Sequence, residues 1–407
     1  MGVCEEPIIE KTMSRIIKNA SWLDVYLKYV DNTESPTSYH VWTALSCIAG
    51  ALQRKCYIKW GLETVYPNMY VVLVGSAGRT RKSLAINIGQ DVFKELDLIT
   101  VSEAITPQAL ITKMANATTT YIDPQGIVRP HSSVTCFSKE LSTLLGANQN
   151  FQYLAYMTDF WDSHDSWTYE TIKRSEDPII GMCLNILAAS APDWMSSMLP
   201  VQAIGGGFTS RCIFVVETNK SKHIALPTVS KDEEKLKRAL IHDLKLIALY
   251  QGEYSFTKEA AETYKKWYLD QSTSMDSGEY PIDDPNFHAY CERRSTHLRK
   301  MCMALQAAQG DSKKITVETW NQAVTILTNT EVQMTDVFGG LGRSDQGQLI
   351  YEMLQYVGKK GKVNRDSMYK SFYKHCTWRE FNEALDGMRA SGLVGYNIET
   401  KTITFNG

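Results

Sequence analysis

The residues with the plainest chemical potential are Lys82 and Ser83, inside the stretch MYVVLVGSAGRTRKSLAI at 69–86. Tyr70 to Val74 form an apolar, β-branched run that ends in small residues, and a helical pattern, LAINIGQDVFKEL, starts at Leu84. The spacing predicts strand, loop, helix. Small residues such as Gly75, Ser76, Ala77 and Gly78 let backbone N–H groups converge on an anion, and the next helix offers the positive end of its dipole. Arg79, Thr80 and Arg81 complete the loop. In such a loop the lysine sits on the β- and γ-phosphates of a nucleotide, and the hydroxyl after it holds a metal ion. The usual spacing is Gly, four residues, Gly-Lys-Ser/Thr; here Gly75 is one residue too far from Lys82, and Arg81 replaces the last glycine. A tight turn carrying a solvated Lys-Arg pair would use the same residues, so other segments must decide.

Three later stretches supply candidate partners. Ser133 to Ser138 reads as a buried strand with Glu140 just beyond its carboxyl end. A strand ending in an acidic pair serves phosphate-loop hydrolysis, one acid holding the metal's water shell and the other polarising the attacking water. Here Lys139 stands in the first acidic place, and a glutamate at a helix start is also an ordinary cap. The run IIGMCLNILAASAP gives another buried strand with Asn185 and Ser190 as polar candidates at its tip. In GGGFTSRCIFVVE, Arg211 directly precedes a strand, where it could reach a neighbouring subunit's nucleotide, although a lone arginine is usually a surface or salt-bridge residue.

The elements that must position these groups follow in order. SWLDVYLKYV and SYHVWTALSCIAGALQRK read as two helices forming an N-terminal cap, 1–62, before an α/β core, 63–228. The aromatic segment 149–180 suggests hairpin arms around Asp162 to Asp165. His164 there lacks a ligand-spaced partner and reads as part of a solvated turn. Residues 229–338 are helical, with a surface-loop break over 272–285 and with Arg293, Arg294 and Arg299 on the third helix. The linker GGLGRSDQG leads to three helices and two short strands over 345–407, the order of a winged helix-turn-helix. Lys359, Lys360, Lys362, Arg365, Lys370, Lys374, His375 and Arg379 make that unit locally basic, which suits phosphate contacts; the same architecture also serves protein docking.

With 43 basic against 45 acidic residues the net charge is −2, so no global field draws the chain to nucleic acid or anionic membrane, and any such surface is local. No apolar run reaches bilayer length, and the acidic start MGVCEEPIIEK lacks a signal-peptide layout. The nine cysteines are scattered without metal-ligand spacing, as expected of buried thiols in a reducing cytoplasm.

Taken together, the order resembles that of AAA+ ATPases, most closely the minichromosome-maintenance-type and phage or mobile-element replicative helicases. It is also similar to phage and plasmid primase or helicase-type proteins whose phosphate loops carry Arg before Lys. The resemblance covers roughly residues 65 to 407. It implies an AAA+/RecA-like α/β P-loop ATPase core with a mainly parallel sheet, a helical lid (229–338) and a winged helix (345–407). By that resemblance 75–84, with Gly75, Gly78, Lys82, Ser83 and Leu84, form the nucleotide loop for ATP and Mg2+. Glu140 is then the acid of the second motif, Asn185 or Ser190 the γ-phosphate sensor, and Arg211 an arginine finger acting in trans. Arg294, then Arg299, would be the lid's sensor. The implied partners are DNA and further copies of the chain in a hexameric ring, in a bacterial cell or phage-infected host. The implied activity is helicase or translocase; a non-hydrolysing nucleotide switch or helicase loader is the alternative. The aromatic region from Phe151 to Lys173 is where pore-loop residues are expected.

Overall fold

A computed structural model describes residues 14–101, 105–145, 151–171, 174–192, 194–195, 206–338, 345–374 and 376–406. The chain divides into two compact units, Met1–Trp194 with Gln202–Thr335 and Met195–Val201 with Asp336–Gly407. Most of the segments expected as cap, core and lid therefore fall in one unit.

That larger unit starts with α1 (Trp22–Tyr29) and α2 (Thr37–Leu52). Ser21 and Asp24 close a capping box at the start of α1. Helix α2 buries thirteen of its sixteen residues, and a helix buried all round belongs inside a core. It packs on the sheet and on three later helices, so it forms part of the core where a cap in front of it was expected. Next come β1 (Cys56–Trp60), β2 (Glu63–Val65), β3 (Tyr70–Val74), α3 (Lys82–Phe93), β4 (Thr100–Val101) and α4 (Pro107–Asn116). The central segment continues through β5 (Thr118–Ile122), β6 (Val128–Ser138), α5 (Leu141–Leu145), α6 (Phe151–Asp162), β7 (Ser166–Thr171), β8 (Arg174–Ile180), β9 (Met182–Ser190) and β10 (Cys212–Val216).

The main sheet runs β10-β3-β9-β6-β4, with every neighbouring pair parallel, and β5 adds antiparallel to β6. All residues of β3, β9 and β10 are buried, as parallel strands covered on both faces require. Each buried Val or Leu here contributes roughly 1.5–3 kcal/mol. Strand β6 is longer than the run read from sequence, because Val128 to Pro130 pair with β5 while exposed, so no apolar signal marks them. The first arm expected around Asp162 is instead α6; the hairpin lies just after it, as β7 and β8.

Helices α7 (Lys231–Ile247), α8 (Lys258–Asp276), α9 (His288–Gln309) and α10 (Val317–Glu331) complete this unit, joined by the short strands β11 (Gly252–Glu253), β12 (Ser255–Phe256) and β13 (Lys314–Ile315). Helix α8 runs to Asp276, so the expected break there begins later than Ser272. Among the described residues Cys47, Cys56, Cys136, Cys183, Cys212, Cys291 and Cys302 are buried free thiols of this unit, and burial pushes Cys56 up to about 12.

The smaller unit holds α11 (Asp345–Lys360), β14 (Lys362–Asn364), α12 (Arg365–Phe372), α13 (Trp378–Ala390), β15 (Val394–Asn397) and β16 (Thr402–Phe405). Its sheet is antiparallel in the order β14-β16-β15. Met353, Val357, Met368, Phe381, Leu385, Met388 and Ile403 form its core, and Cys376 is its partly buried thiol. No described helix is long and apolar enough to cross a membrane.

Candidate nucleotide site at the carboxyl edge of the sheet

Parallel sheets bind ligands beyond the carboxyl ends of their strands. At that edge β3 ends at Val74, paired with Ser190 of β9 on one side and Val216 of β10 on the other. The Gly75 N–H donates to the Ser190 carbonyl (3.2 Å), and the Tyr39 hydroxyl donates to the Val74 carbonyl (2.6 Å), so the strand end is held from both sides. Gly75 is obligatory for space: a Cβ there would lie 2.5 Å from Thr80 Oγ1, 2.6 Å from Tyr39 Oη and 2.7 Å from the Glu217 carbonyl.

From Gly75 the chain turns outward through exposed Ser76, Ala77, Gly78 and Arg79 and returns at buried Thr80. Gly78 has φ of 68°, a conformation that favours glycine. Arg81 takes φ of 54° immediately before α3, where a non-glycine side chain is strained. The strain is offset locally, since the Ser35 hydroxyl donates to the Arg81 carbonyl (2.9 Å) and the Arg81 guanidinium pairs with Glu34 (3.0 Å). Glu34 also takes Lys220 and the Ile224 N–H, and these donors hold its carboxyl down at about 2. Arg79 donates to Asn219. Glu34, Ser35, Tyr39, Glu217 and Asn219 thus brace the loop. Sequence reading missed all five, because they lie in segments distant along the chain.

The Lys82 ammonium points back into the loop, bonded to the Gly75 carbonyl and 3.5 Å from that of Ser76. Burial pulls it below the usual lysine range, and the Glu140 carboxylate works against that. Glu140 is exposed just past β6, its carbonyl fixed by the Ser138 hydroxyl (2.9 Å) and the Thr143 N–H (3.0 Å). Ser83 and Leu84 face solvent on the first turn of α3. One edge therefore gathers the loop 75–84, Glu140 and Ser190. A cavity of about 260 Å³, lined by Ser38, Val41, Trp42, Val216, Glu217 and Thr330, opens beside it.

The other candidates lie elsewhere. Asn185 faces Thr135 in mid-sheet, near the amino end of β3: it accepts from the Met69 N–H (3.0 Å) and donates to the Ser46 carbonyl and hydroxyl (3.0 and 3.1 Å). These three bonds tie the side chain into the core, at the wrong end of the strand for a phosphate. Arg211 also lies at the amino edge, in a 3-10 turn (Thr209–Arg211), about 15 Å from the loop by strand length. It grips Asp162 with two bonds (3.1 and 2.5 Å) and the Gly207 carbonyl with a third (2.8 Å). Arg294 is buried in a bidentate pair with Glu331 (both 2.8 Å), so it is not an open sensor, and buried Arg299 lies over the Trp60 ring (4.4 Å). Their neighbour Arg293 instead lines a cavity of about 520 Å³ with Arg54, Arg211 and Lys300. Lys300, bonded to Asn68 (2.8 Å) and the Tyr66 carbonyl (3.0 Å), is brought down to about 7 by burial. His164 is exposed, and no cluster of His, Cys, Asp and Glu among the described residues could hold a metal ion. Residues 172–173, at the end of the region expected to hold pore-loop residues, and His375 lie outside the described residues.

No protein-family model matches the chain, and no curated protein matches it significantly.

Proposed function

We propose that the chain is an AAA+/RecA-like P-loop ATPase, binding ATP with Mg2+ at the carboxyl edge and working as a ring-forming DNA helicase or translocase of a phage or mobile replicon. One observation carries the reading. Strand β9 inserts between β3 and β6, so Ser190 stands between the Lys82 loop and the strand that leads to Glu140. Those three groups are what phosphoryl transfer to water needs: a cation and amides on the phosphates, a base for the water, and a polar group between them.

The donor set suits a magnesium ion carried by the nucleotide, with the Ser83 hydroxyl as its protein ligand; bound there, the ion would offset charge on the β- and γ-oxygens. Lys82 would leave the Gly75 carbonyl for phosphate, Glu140 would take the proton of the attacking water, and Ser190 would orient that water. Asn185 drops out of the role. Arg211, at the opposite edge, would serve a neighbouring copy, which makes the site dependent on ring assembly. The smaller unit, read as a winged helix, would bind DNA through its basic residues.

Lys82→Ala should remove binding of a fluorescent ATP analogue, whereas Arg211→Ala should keep binding and lose hydrolysis. Normal turnover by the Arg211 variant would refute the trans site. A non-hydrolysing switch or loader is favoured by two features: Lys139 in the place of the first acid, and Arg211 already held by Asp162 of its own chain. A single-turnover assay with and without single-stranded DNA separates the two readings, since DNA-stimulated turnover rejects the switch.

A further inference from the structure

In the smaller unit, the exposed side of α13 is acidic. Glu380, Glu383 and Asp386 recur at three-residue spacing on its solvent side, and its exposed arginines are already engaged, Arg379 with Glu383 (2.8 Å) and Arg389 with Asp386 (3.2 Å). A helix laid into a groove with that face would carry three carboxylates toward phosphates while its cations were committed to its own acids. Yet α13 is the third helix of the unit, the one that a winged helix is expected to insert.

Four exposed lysines without carboxylate partners among the described residues lie elsewhere, at the ends of α11 and α12, while Lys362, likewise outside any ion pair, stands on β14. The Tyr356 hydroxyl meets both Lys360 Nζ (2.8 Å) and Ser371 Oγ (3.0 Å), which ties the last turn of α11 to the last turn of α12. Lys359 precedes Lys360, Lys370 flanks Ser371, and Lys374 lies one helical turn beyond Lys370; all four lysines are exposed. None forms an ion pair among the described residues, whereas Arg365 and Lys401 share Asp366 (3.2 and 3.0 Å). Four lysines outside any ion pair among the described residues thus cluster where the ends of α11 and α12 meet, opposite in sign to the solvent side of α13.

We propose that this α11–α12 edge, through Lys359, Lys360, Lys370 and Lys374, is the surface that meets nucleic-acid phosphates, and that α13 is turned away from the nucleic acid. The proposal rests on the DNA-binding reading above and specifies its face. Contacts of this kind are sequence-independent and salt-dependent, each phosphate neutralised adding about 0.9 to the log–log salt slope on duplex.

The test uses the full chain and labelled duplex and single-stranded oligonucleotides in fluorescence anisotropy. Replacing the four lysines together by alanine removes only exposed side chains, and an unchanged thermal transition checks the fold. That variant should bind at least about tenfold more weakly and lose about three to four from the duplex salt slope. Arg379→Ala with Arg389→Ala, and separately Glu383→Gln with Asp386→Asn, should leave affinity within about twofold. If the lysine variant binds like the parent while the arginine variant weakens, or the acid-neutralised variant tightens, α13 is the contact helix and the proposal is overturned although DNA binding stands. If the parent chain binds neither oligonucleotide, the proposal and the DNA-binding reading fall together. If the acid-neutralised and arginine variants bind as the parent and only the lysine variant weakens, the proposal holds.

Discussion

Arg81 holds a left-handed conformation at the entrance to α3, the place where phosphate loops ordinarily have glycine. An L-residue there costs about 1–2 kcal/mol, partly offset by the half-exposed, solvent-screened pair with Glu34. Arg81→Gly should therefore raise stability to urea by up to about 1 kcal/mol, and Arg81→Val should lower it by about 1 kcal/mol or more, because a β-branched residue tolerates that conformation least. A single residue also shows where reading from sequence stops. The positions of Lys82 and Glu140 in the fold were readable, because apolar runs mark the ends of β3 and β6 a few residues before each. Asn185 was misplaced because a polar residue within a strand looks the same at the tip and in the middle; only the register, Asn185 opposite Thr135, distinguishes them. Arg293 and Arg294 are adjacent on one helix and point about 100° apart, so composition could not tell which enters a cavity and which pairs with Glu331.

Among the elements, α9 and α10 are clasped by the Arg294–Glu331 pair, with Tyr290 donating to the same carboxylate (3.0 Å) and Gln271 of α8 accepting from Arg294. A buried pair of this kind is not a large net gain over apolar packing, but removing one charge strands the other. Glu331→Gln should accordingly lower unfolding stability by about 3–5 kcal/mol, while Arg294→Met with Glu331→Leu should recover most of that loss; urea denaturation of both variants measures it. The helical character of 229–338 was readable from periodicity. The use made of its arginines was not, since it depends on which helices lie together. Likewise, α2 was read as part of an N-terminal cap because its place in the chain precedes the sheet, whereas its all-round apolar surface was the better indicator of a core position.

For the larger unit as a whole, three buried histidines weaken the fold in acid. Burial, then the charge of Lys222, holds His40 at about 4; burial, then Lys55 and Arg54, holds His131 at about 4. His297, whose ring meets the Ser210 carbonyl at 3.1 Å, is held at about 3, chiefly by burial. Each lies below the unfolded value of about 6.5. Between these limits the unfolded chain takes up more protons, so stability is fully present above about pH 6.5 and is lost as pH falls toward 4. Each histidine adds about 1.4 kcal/mol per pH unit inside that window. The urea midpoint should fall steeply from pH 6.5 to pH 5, and His297→Asn should flatten the curve by about one histidine's share.

The distribution of thiols gives the whole molecule one more property. A sulfhydryl sealed in packed protein reacts with a soluble reagent only when its surroundings open, so its rate of modification is a clock for that opening. Among the described residues the larger unit carries seven such sealed thiols, spread through the sheet and helices from Cys47 to Cys302, and the smaller unit carries Cys376 alone, partly open. Among the described residues the larger unit is thereby fitted with a readable clock for its own opening, whereas partly open Cys376 reacts without waiting for one.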